Sequence, residues 1–394
     1  MVPLMAPRRI AILGSTGSVG QQALQVIAAE PDLHACALSA GSNVELLAAQ
    51  AAETGAEVVA VADAAAGGSG AFPDGVAVLT GPDAATELVR RARADLVLTA
   101  VAGSAGLAPT LAAIECRADL AVANKESLVM GGALVMPAAE AAGVAVLPVD
   151  SEHSAVFQCL HGHRREDVAK VVLTASGGPL RTWPADRIGR ASLADVLNHP
   201  TWQMGRKVTI DSATLMNKAL EVIEAHWLFG LAGGQIEVLV HPESLVHAFV
   251  AFRDGSVLAQ MGPPSMLTPI ALALHWPKRS PRREAPPLDL AAIGELHFEP
   301  VDAERFPAVR LGHAVLAAGG TAGAVLSAAD EAAVEAFAGG RIAFGRIVEI
   351  VEEVMNTTPV HTEVTLESIR AAGAGARRAA EGIIGRRGAA AGDV

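Results

Sequence analysis

Residues 9–20 read RIAILGSTGSVG, and this stretch decides the predicted fold. An apolar strand from Arg9 to Leu13 runs directly into a glycine-rich turn, Gly14 to Gly20, and a helical pattern follows through Ala29. This order is typical of the phosphate-binding start of a dinucleotide fold, because the glycines permit a tight turn and the helix start offers N–H groups. The spacing is G-x-x-G-x-x-G, so an ordinary strand-to-helix turn is the alternative. A Walker-type loop is excluded, since no Gly-Lys-Ser/Thr follows.

Strands and helices then alternate as far as residue 149. The predicted strands are Leu33–Ser39, Val58–Val61, Val76–Leu79, Asp95–Val101, Asp119–Ala123 and Gly143–Val149, and the predicted helices are Asn43–Glu53, Asp83–Ala94, Ala105–Cys116 and Ser127–Ala142. This alternation predicts a parallel, doubly wound sheet, in which a ligand binds beyond the carboxyl ends of the strands. Polar clusters follow three of those ends, at Gly14–Gly20, Gly41–Asn43 and Asn124–Glu126.

The end of the second predicted strand bears on the choice of cofactor. NAD enzymes typically carry Asp or Glu there to hold the ribose 2′-hydroxyl. Residues 39–43 read SAGSN and contain no carboxylate, so a 2′-phosphate would not be repelled. The sequence therefore favours NADP over NAD.

The last predicted strand of this region ends abruptly in the polar stretch Asp150-Ser151-Glu152-His153-Ser154. Carboxylates at i and i+2 point to one side of an extended segment, and hard divalent cations prefer such oxygen ligands. A solvated loop after a strand is the alternative. The position favours a metal site, since the pattern changes after Asp150 and a ligand pair at that junction would face both halves of the chain.

Beyond residue 154 the pattern indicates an α+β region with antiparallel pairing. Its predicted strands are Val168–Thr174, Gln235–His241, Val246–Phe252 and Ser256–Met261. The loop NHPTWQMG at 198–205 has polar and aromatic residues without a period, so we predict a lid, with a packed structural loop around Trp202 as the alternative. A helix is predicted at Ala213–Leu228, with Asn217, Lys218 and Glu221 on its polar face, which is a solvated surface unless the rest of the protein covers it.

A proline-rich tract from Pro277 to Pro287 predicts a linker, and helical patterns dominate from Phe306 onward. The predicted helices there are Ala308–Ala318, Thr321–Glu335, Phe344–Asn356 and Leu366–Ala380. The predicted fold is therefore α/β: a Rossmann-like domain at 1–149, a central α+β catalytic domain at 150–276 with a mobile lid at 199–207, a linker at 277–304, and a C-terminal helical bundle at 305–394.

Composition narrows the class of protein. The 394 residues include 42 acidic and 30 basic side chains, a formal net charge of −12, and no basic stripe that would neutralise nucleic-acid phosphates. The three cysteines, Cys36, Cys116 and Cys159, show no paired spacing, which fits a reducing compartment. No apolar run is long enough for a membrane span, and Met1–Pro7 lacks the order of a signal peptide. We therefore expect a cytoplasmic protein without nucleic-acid or membrane partners.

Six motifs together resemble the 1-deoxy-D-xylulose 5-phosphate reductoisomerase family. They are GSTGSVG at 14–20, NKESL at 124–128, VDSEHSA at 149–155, SGGP at 176–179, HPTWQMGRK at 199–207 and DSATLMNKALE at 211–221. The resemblance implies a homodimeric enzyme that isomerises 1-deoxy-D-xylulose 5-phosphate to a branched aldehyde and reduces it with NADPH. The product is 2-C-methyl-D-erythritol 4-phosphate, on the non-mevalonate isoprenoid pathway. A divalent cation such as Mn²⁺, Mg²⁺ or Co²⁺ would polarise the substrate oxygens.

The resemblance also implies roles for individual residues. The metal ligands would be Asp150, Glu152 and Glu221. The substrate contacts would be Lys125, Ser151, Glu152, Ser176, His199, Ser212, Asn217, Lys218 and Glu221, with the phosphate on Ser176, Ser212, Asn217 and Lys218. The catalytic set would be Lys125, Asp150, Glu152, His199 and Glu221. The cofactor contacts would be Thr16, Gly17, Ser18, Val19, Gly41, Ser42, Asn43, Asn124, Glu126 and Gly205.

Other residues of the motifs are assigned less fully. Trp202 and Met204 would belong to the lid, and His153 and His247 lie in family motifs without an assigned role. Family members often carry Lys or Arg where Ser42 stands, so the contact to the 2′-phosphate departs from the pattern.

Two other classes share the predicted fold plan. A semialdehyde dehydrogenase would need a cysteine nucleophile, but Cys36 and Cys116 fall within strand and helix patterns and Cys159 lies on an apolar stretch. A nucleotide-sensing protein built on an old enzyme fold would have lost catalytic residues, yet every position carried over by motif keeps a suitable side chain.

Overall fold

The computed structural model describes residues 6–65 and 72–390, without the side chains of 387–390. Residues 1–5, 66–71 and 391–394, which include most of Met1–Pro7 and parts of the predicted terminal domains, lie outside the described residues. The chain forms two compact units. The first comprises Met1–Ser127, Val135–Ser154 and Ser265–Pro286, and the second comprises Leu128–Leu134, Ala155–Pro264 and Pro287–Val394. The predicted division into four ranges stays a prediction.

The first unit is built on a parallel sheet of seven strands in the order β4-β3-β2-β1-β5-β6-β7. The strands are β1 Arg8–Leu13, β2 Leu33–Ala40, β3 Val58–Val61, β4 Ala77–Thr80, β5 Leu96–Thr99, β6 Asp119–Val122 and β7 Val146–Pro148. The first helices are α1 Ser18–Ala28, α2 Val44–Thr54, α3 Ala84–Ala92, α4 Leu107–Glu115, α5 Lys125–Ala142 and α6 Ser151–Leu160. The predicted α/β class is confirmed.

The strand order of this sheet predicts where a ligand binds. Because β1 lies between β2 and β5, the winding of the sheet reverses there, and ligands of such sheets bind at this reversal. Gly14 directly follows β1 with φ 84, and a Cβ on it would lie 2.6 Å from the carbonyl oxygen of Ala100, just beyond β5. Only glycine fits this turn without displacing the backbone.

The second unit contains a mixed sheet of five strands in the order β11-β10-β8-β9-β12. Its strands are β8 Val168–Ala175, β9 Ile236–Val240, β10 Val246–Phe252, β11 Val257–Met261 and β12 Glu299–Pro300. The predicted antiparallel pairing is confirmed for β8 with β10 and for β10 with β11, but β8 and β9 pair in parallel. The helices between β8 and β9 supply the crossover that a parallel pair needs.

Helices complete both units. Those between β8 and β9 are α7 Ala185–Ile188, α8 Leu193–Leu197, α9 Arg206–Thr214 and α10 Met216–Phe229, and those after β11 are α11 Leu267–His275, α12 Leu290–Ile293, α13 Val309–Ala318, α14 Ala322–Ala338, α15 Arg346–Thr357 and α16 Leu366–Ala390. The single helix predicted at Ala213–Leu228 is two helices, broken at Leu215. None of the helices within 6–65 and 72–390 combines the length and hydrophobicity that a membrane span requires.

Candidate active site

The glycine-rich turn after β1 contains four of the predicted cofactor contacts. Ser15 N–H donates to the Ser39 carbonyl at 2.8 Å, and Gly17 N–H donates to the Gly14 carbonyl at 3.0 Å. Helix α1 begins at Ser18 and has no acidic residue in its first turn. Four of the predicted cofactor contacts therefore lie together at the start of this helix: Thr16, Gly17, Ser18 and Val19. All four are partly or fully exposed, as a phosphate-binding helix start requires.

The turn after β2 lies beside the glycine-rich turn. Ser39 Oγ accepts a hydrogen bond from Gly14 N–H at 3.0 Å, which joins the ends of the two strands. Beyond it Gly41, Ser42 and Asn43 are exposed, and Asn43 caps α2 by accepting from Leu46 N–H at 3.2 Å. The two predicted cofactor clusters are therefore adjacent.

Asn124 and Glu126 are more deeply placed than the other predicted cofactor contacts. Both are buried, and Asn124 Nδ2 donates to the Val101 carbonyl at 2.8 Å and to Glu126 Oε2 at 2.9 Å. Asn124 also caps α5 by accepting from Ser127 N–H at 3.0 Å. These bonds fasten the end of β6 to the end of β5. Gly205, the remaining predicted cofactor contact, belongs to the second unit.

The carboxylate stretch after β7 is helical, which corrects the extended segment assumed from the sequence. Ser151–Leu160 forms α6, and Asp150 precedes it, with Oδ1 accepting from Ser151 N–H at 3.0 Å. Aspartate is favoured at a helix start because its side chain satisfies a free N–H group. Glu152 lies in the first turn, where its Oε2 accepts from Ser151 Oγ at 2.6 Å. Asp150 and Glu152 are thus set by a helix turn and not by a strand.

Asp150 lies beside an ammonium and an imidazole. Its Oδ2 is 2.8 Å from Lys125 Nζ and 3.6 Å from Nδ1 of the buried His153. Burial alone would raise the pKa of Asp150, but the Lys125 ammonium and His153 together hold that pKa well below its usual range. The carboxylate is therefore ionised at neutral pH, as a cation ligand must be.

A second polar cluster forms where β8 ends, in the second unit. Ser176 Oγ lies 3.0 Å from His199 Nε2 and accepts from Gly178 N–H at 3.1 Å. Gly178 has φ 70, and a Cβ on it would lie 2.6 Å from the Ser212 carbonyl oxygen. Glycine thus lets the turn after β8, which contains Ser176, approach the last turn of α9 at Ser212.

The start of α10 contributes the third part of this cluster. Leu215 has φ 59 and separates α9 from α10. Two residues of the first turn of α10 then donate to Glu221: Asn217 Nδ2 to Oε1 and Lys218 Nζ to Oε2, each at 2.5 Å. The side chains of Lys218 and Glu221 are 5% and 1% exposed, so this polar face is buried and the solvated alternative is wrong.

The loop with His199 and Trp202 is held by that histidine. His199 Nδ1 accepts from Thr201 N–H at 3.2 Å and from Trp202 N–H at 2.9 Å, and burial lowers its pKa. The Trp202 ring lies 6.2 Å from that of His247, which is buried in β10. Helix α9 already begins at Arg206, so the last two residues of the predicted lid are helical. The mobility of 199–205 stays a prediction.

Two polar residues outside the sequence motifs, Gln50 and Asp330, bond to residues within them. Gln50 in α2 hydrogen-bonds Ser15 of the glycine-rich turn, 35 residues away. Lys207 in α9 lies 2.6 Å from Asp211 and 2.8 Å from Asp330 of α14, 123 residues away. The Asp211 pairing has the i,i+4 spacing of a helix, but no local spacing indicates the partners of Gln50 or Asp330.

The structure combines a parallel sheet that has a glycine-rich turn with two separate clusters, one of carboxylates and one of hydroxyl, amide and ammonium groups. This combination is typical of a dinucleotide-dependent enzyme. Three family profiles match the chain: 1-deoxy-D-xylulose 5-phosphate reductoisomerase at residues 10–132, the C-terminal domain of that enzyme at 146–229, and the DXP reductoisomerase C-terminal domain at 261–379. The chain belongs to the 1-deoxy-D-xylulose 5-phosphate reductoisomerase family.

Full-length relatives support this membership. The reductoisomerase of Rhodococcus jostii (strain RHA1) is 50% identical over 97% of this chain and 96% of its own, and that of Geotalea uraniireducens (strain Rf4) is 47% identical over 92% and 95%. The structure of the Zymomonas mobilis enzyme in complex with NADPH superposes with a TM-score of 0.89, at 40% identity over 96% of this chain and 99% of the other. A DOX-P reductoisomerase in complex with NADPH, fosmidomycin and magnesium gives a TM-score of 0.85, at 35% identity over 96% and 98%.

Proposed function

We propose that this protein converts 1-deoxy-D-xylulose 5-phosphate to 2-C-methyl-D-erythritol 4-phosphate, with NADPH as reductant and a divalent cation as cofactor, in the non-mevalonate isoprenoid pathway. The observation that carries the proposal is that five of the six motifs contribute to two polar clusters of the kind such a reaction requires, while the sixth, at 14–20, forms the glycine-rich turn. One holds ionised carboxylate beside an ammonium, and the other holds hydroxyl, amide and ammonium groups beside an imidazole.

Asp150, Glu152 and Glu221 are the proposed metal ligands. Their carboxylate oxygens are the hard donors that Mg²⁺ and Mn²⁺ prefer, and the lowered pKa of Asp150 fits the charge that such a ligand must carry. When bound, the cation polarises the substrate oxygens and offsets the negative charge that develops on them. Hydrogen bonds to the same substrate oxygens are assigned by resemblance to Ser151 and to Lys125, which lies 2.8 Å from Asp150.

The substrate phosphate is assigned to Ser176, Ser212, Asn217 and Lys218. Hydroxyl and amide groups donate to phosphate oxygens, and the Lys218 ammonium supplies the opposite charge. The lowered pKa keeps His199 neutral at neutral pH, so its Nε2 exchanges one hydrogen bond with Ser176 without adding a second charge. This set positions the substrate from the end that does not react.

NADPH is assigned to the glycine-rich turn, the turn after β2, and the end of β6 with Asn124 and Glu126, together with Gly205. Ser42 is exposed and lies where a 2′-phosphate contact is expected by resemblance. In the Ser42→Arg variant a guanidinium could pair with that phosphate, so the Kd for NADPH should fall about tenfold. The Kd for NADH should stay unchanged. Fluorescence titration measures both constants.

Ser42→Gln is the matched control for this change, because it adds comparable length without charge. Its Kd for NADPH should stay within about twofold of the wild-type value. Equal constants for the Arg variant and the wild type would contradict the assignment of the 2′-phosphate to this turn.

Residues 199–205 are proposed to close over the bound substrate and exclude water from the aldehyde. Trp202 is half-buried, and its ring faces His247 across 6.2 Å, so closure should change its surroundings. Addition of a phosphonate substrate mimic with NADPH and Mg²⁺ should therefore change the tryptophan fluorescence. A Trp202→Phe variant, which keeps the other three of the four tryptophans, should lose most of that change. An undiminished change in the variant would favour the structural reading of this loop.

The thiol chemistry of a semialdehyde dehydrogenase fits the structure poorly. Burial raises the pKa of the Cys36 thiol to about 11 and also raises the pKa of Cys159, so neither is a ready nucleophile. The direct test of the proposed function follows NADPH absorbance with 1-deoxy-D-xylulose 5-phosphate. Oxidation should require the substrate, stop after exhaustive chelation, and resume with Mg²⁺ or Mn²⁺. NADPH oxidation that is indifferent to the substrate, or its absence under all these conditions, would overturn the proposal.

The resemblance also supports a cytoplasmic homodimer. Sedimentation of the purified protein at several concentrations measures its mass, and a monomer at all of them would contradict the dimer. Fractionation of cells that express the full chain tests the location.

A further inference from the structure

Gln50 is a buried amide that faces the glycine-rich turn. It lies on α2 and is 6% exposed, and its partner Ser15 is fully buried. Gln50 Oε1 accepts from Ser15 Oγ at 2.7 Å, and Gln50 Nε2 donates to the Ser15 carbonyl at 2.9 Å. One side chain therefore engages both the hydroxyl and the main chain of a single residue in the turn.

These two bonds fix the orientation of the peptide that joins Ser15 to Thr16. In a planar, trans peptide the C=O and the following N–H point in opposite directions. Because Gln50 holds the Ser15 carbonyl on the α2 side, the Thr16 N–H points away from α2. Within 6–65 and 72–390, this N–H donates to no backbone carbonyl. It is thus presented on the side of the turn opposite Gln50, next to the start of α1.

Two further contacts hold Ser15 itself, on the other side of its Cα from that peptide. Ser15 N–H donates to the Ser39 carbonyl at 2.8 Å, and Ser15 Oγ also lies 3.3 Å from that carbonyl. With Ser15 fully buried, water cannot readily replace a lost partner of its carbonyl, and an unpaired buried carbonyl is costly. With an apolar side chain at position 50, the Ser15 carbonyl would lose its partner, and this cost would favour rotation of the Ser15–Thr16 peptide.

We propose that Gln50 is a positioning residue for the cofactor. It sets the Ser15–Thr16 peptide so that the Thr16 N–H meets the diphosphate of the bound dinucleotide. This role rests on the proposed use of NADPH. It acts through Ser15 and involves no contact between Gln50 and the cofactor.

The test compares Gln50→Met with Gln25→Met by direct titration of NADPH. Methionine keeps the length and volume of glutamine but forms neither hydrogen bond. Gln25 is an exposed glutamine on the neighbouring helix α1, so its variant controls for the chemical change alone. We expect Gln50→Met to raise the Kd for NADPH about tenfold and Gln25→Met to leave it within about twofold. Binding of adenosine 2′-monophosphate, which has no diphosphate, should be nearly unchanged in both.

Gln50→Glu adds a readout that a purely structural role would not show. An ionised carboxylate cannot donate to the Ser15 carbonyl, whereas the protonated acid donates there and still accepts from Ser15 Oγ. Burial favours the neutral form. The Kd for NADP⁺ relative to the wild-type value at the same pH should therefore improve between about pH 8 and about pH 6.

The possible outcomes are distinct. NADPH binding by Gln50→Met within about twofold of wild type overturns the role of Gln50 alone. An equal loss of affinity for NADPH and for adenosine 2′-monophosphate in Gln50→Met also overturns it. The same holds if the relative Kd of Gln50→Glu for NADP⁺ does not change with pH. Failure of the wild-type protein to bind NADPH overturns the proposed cofactor and this role together.

Discussion

Glu221→Gln should lower kcat/KM about a thousandfold, since a metal ligand that loses its charge withdraws roughly 4 kcal/mol of transition-state stabilisation. Glutamine keeps the size of the side chain and one oxygen, so Lys218 retains a hydrogen-bond acceptor in place of the carboxylate. The fold should survive. NADPH absorbance with the substrate measures the activity, and titration with Mn²⁺ should show weakened metal binding.

A carboxylate elsewhere in the same unit supplies the control. Glu237 on β9 is half exposed and pairs with Lys170 at 2.7 Å on the surface, so Glu237→Gln should leave kcat/KM unchanged. Thermal unfolding of both variants separates loss of activity from loss of structure. Wild-type activity in Glu221→Gln, with the metal still required, would remove Glu221 from the proposed ligands.

Gly323→Ala should destabilise the second unit by about 3 kcal/mol, because α14 has no room for a side chain there. A Cβ on Gly323 would overlap the carbonyl oxygen of Val129, which belongs to backbone and cannot turn aside. For a unit of this size such a loss lowers Tm by roughly 6–12 °C. Chemical denaturation followed by circular dichroism gives the free energy of unfolding.

Gly373→Ala on α16 is the matched control. Its Cβ would lie 3.8 Å from that of Ala328, an ordinary contact, and alanine is favoured over glycine in a helix by up to about 1 kcal/mol. This variant should therefore be as stable as the wild type or more so. Similar losses in the two variants would show that the approach of Gly323 to Val129 is not what excludes a side chain.

Periodicity was sufficient for the alternating half of the fold, because buried parallel strands and amphipathic helices have distinct apolar patterns. It failed where polar side chains stabilise a helix. Residues 206–214 read RKVTIDSAT and lack an apolar stripe, yet they form α9, in which Lys207 pairs with Asp211 and with Asp330 of α14. The strand-like reading of Asp150–Glu152 failed for a related reason, since an aspartate at a helix start was taken as the end of a strand.

The candidate site was predictable wherever its residues share a motif. Lys125 and Asp150 sit in short, recognisable stretches at strand ends, and the structure brings them to 2.8 Å. Gln50 could not be found in this way, because a glutamine in an alanine-rich helix carries no local signal of the turn it supports. Such partners become visible only after the sheet has set β1 beside β2.

The conformation of Leu215 bears on the rigidity of the proposed phosphate site. A left-handed backbone costs a leucine about 1–2 kcal/mol, and burial of its side chain, which is 2% exposed, offsets a similar amount. The break between α9 and α10 is therefore anchored in the hydrophobic core by the Leu215 side chain. Ser212 in α9 and Lys218 in α10 cannot move apart unless the Leu215 side chain leaves that core. We therefore expect the proposed phosphate site to be rigid and to select among oxyanions by their size.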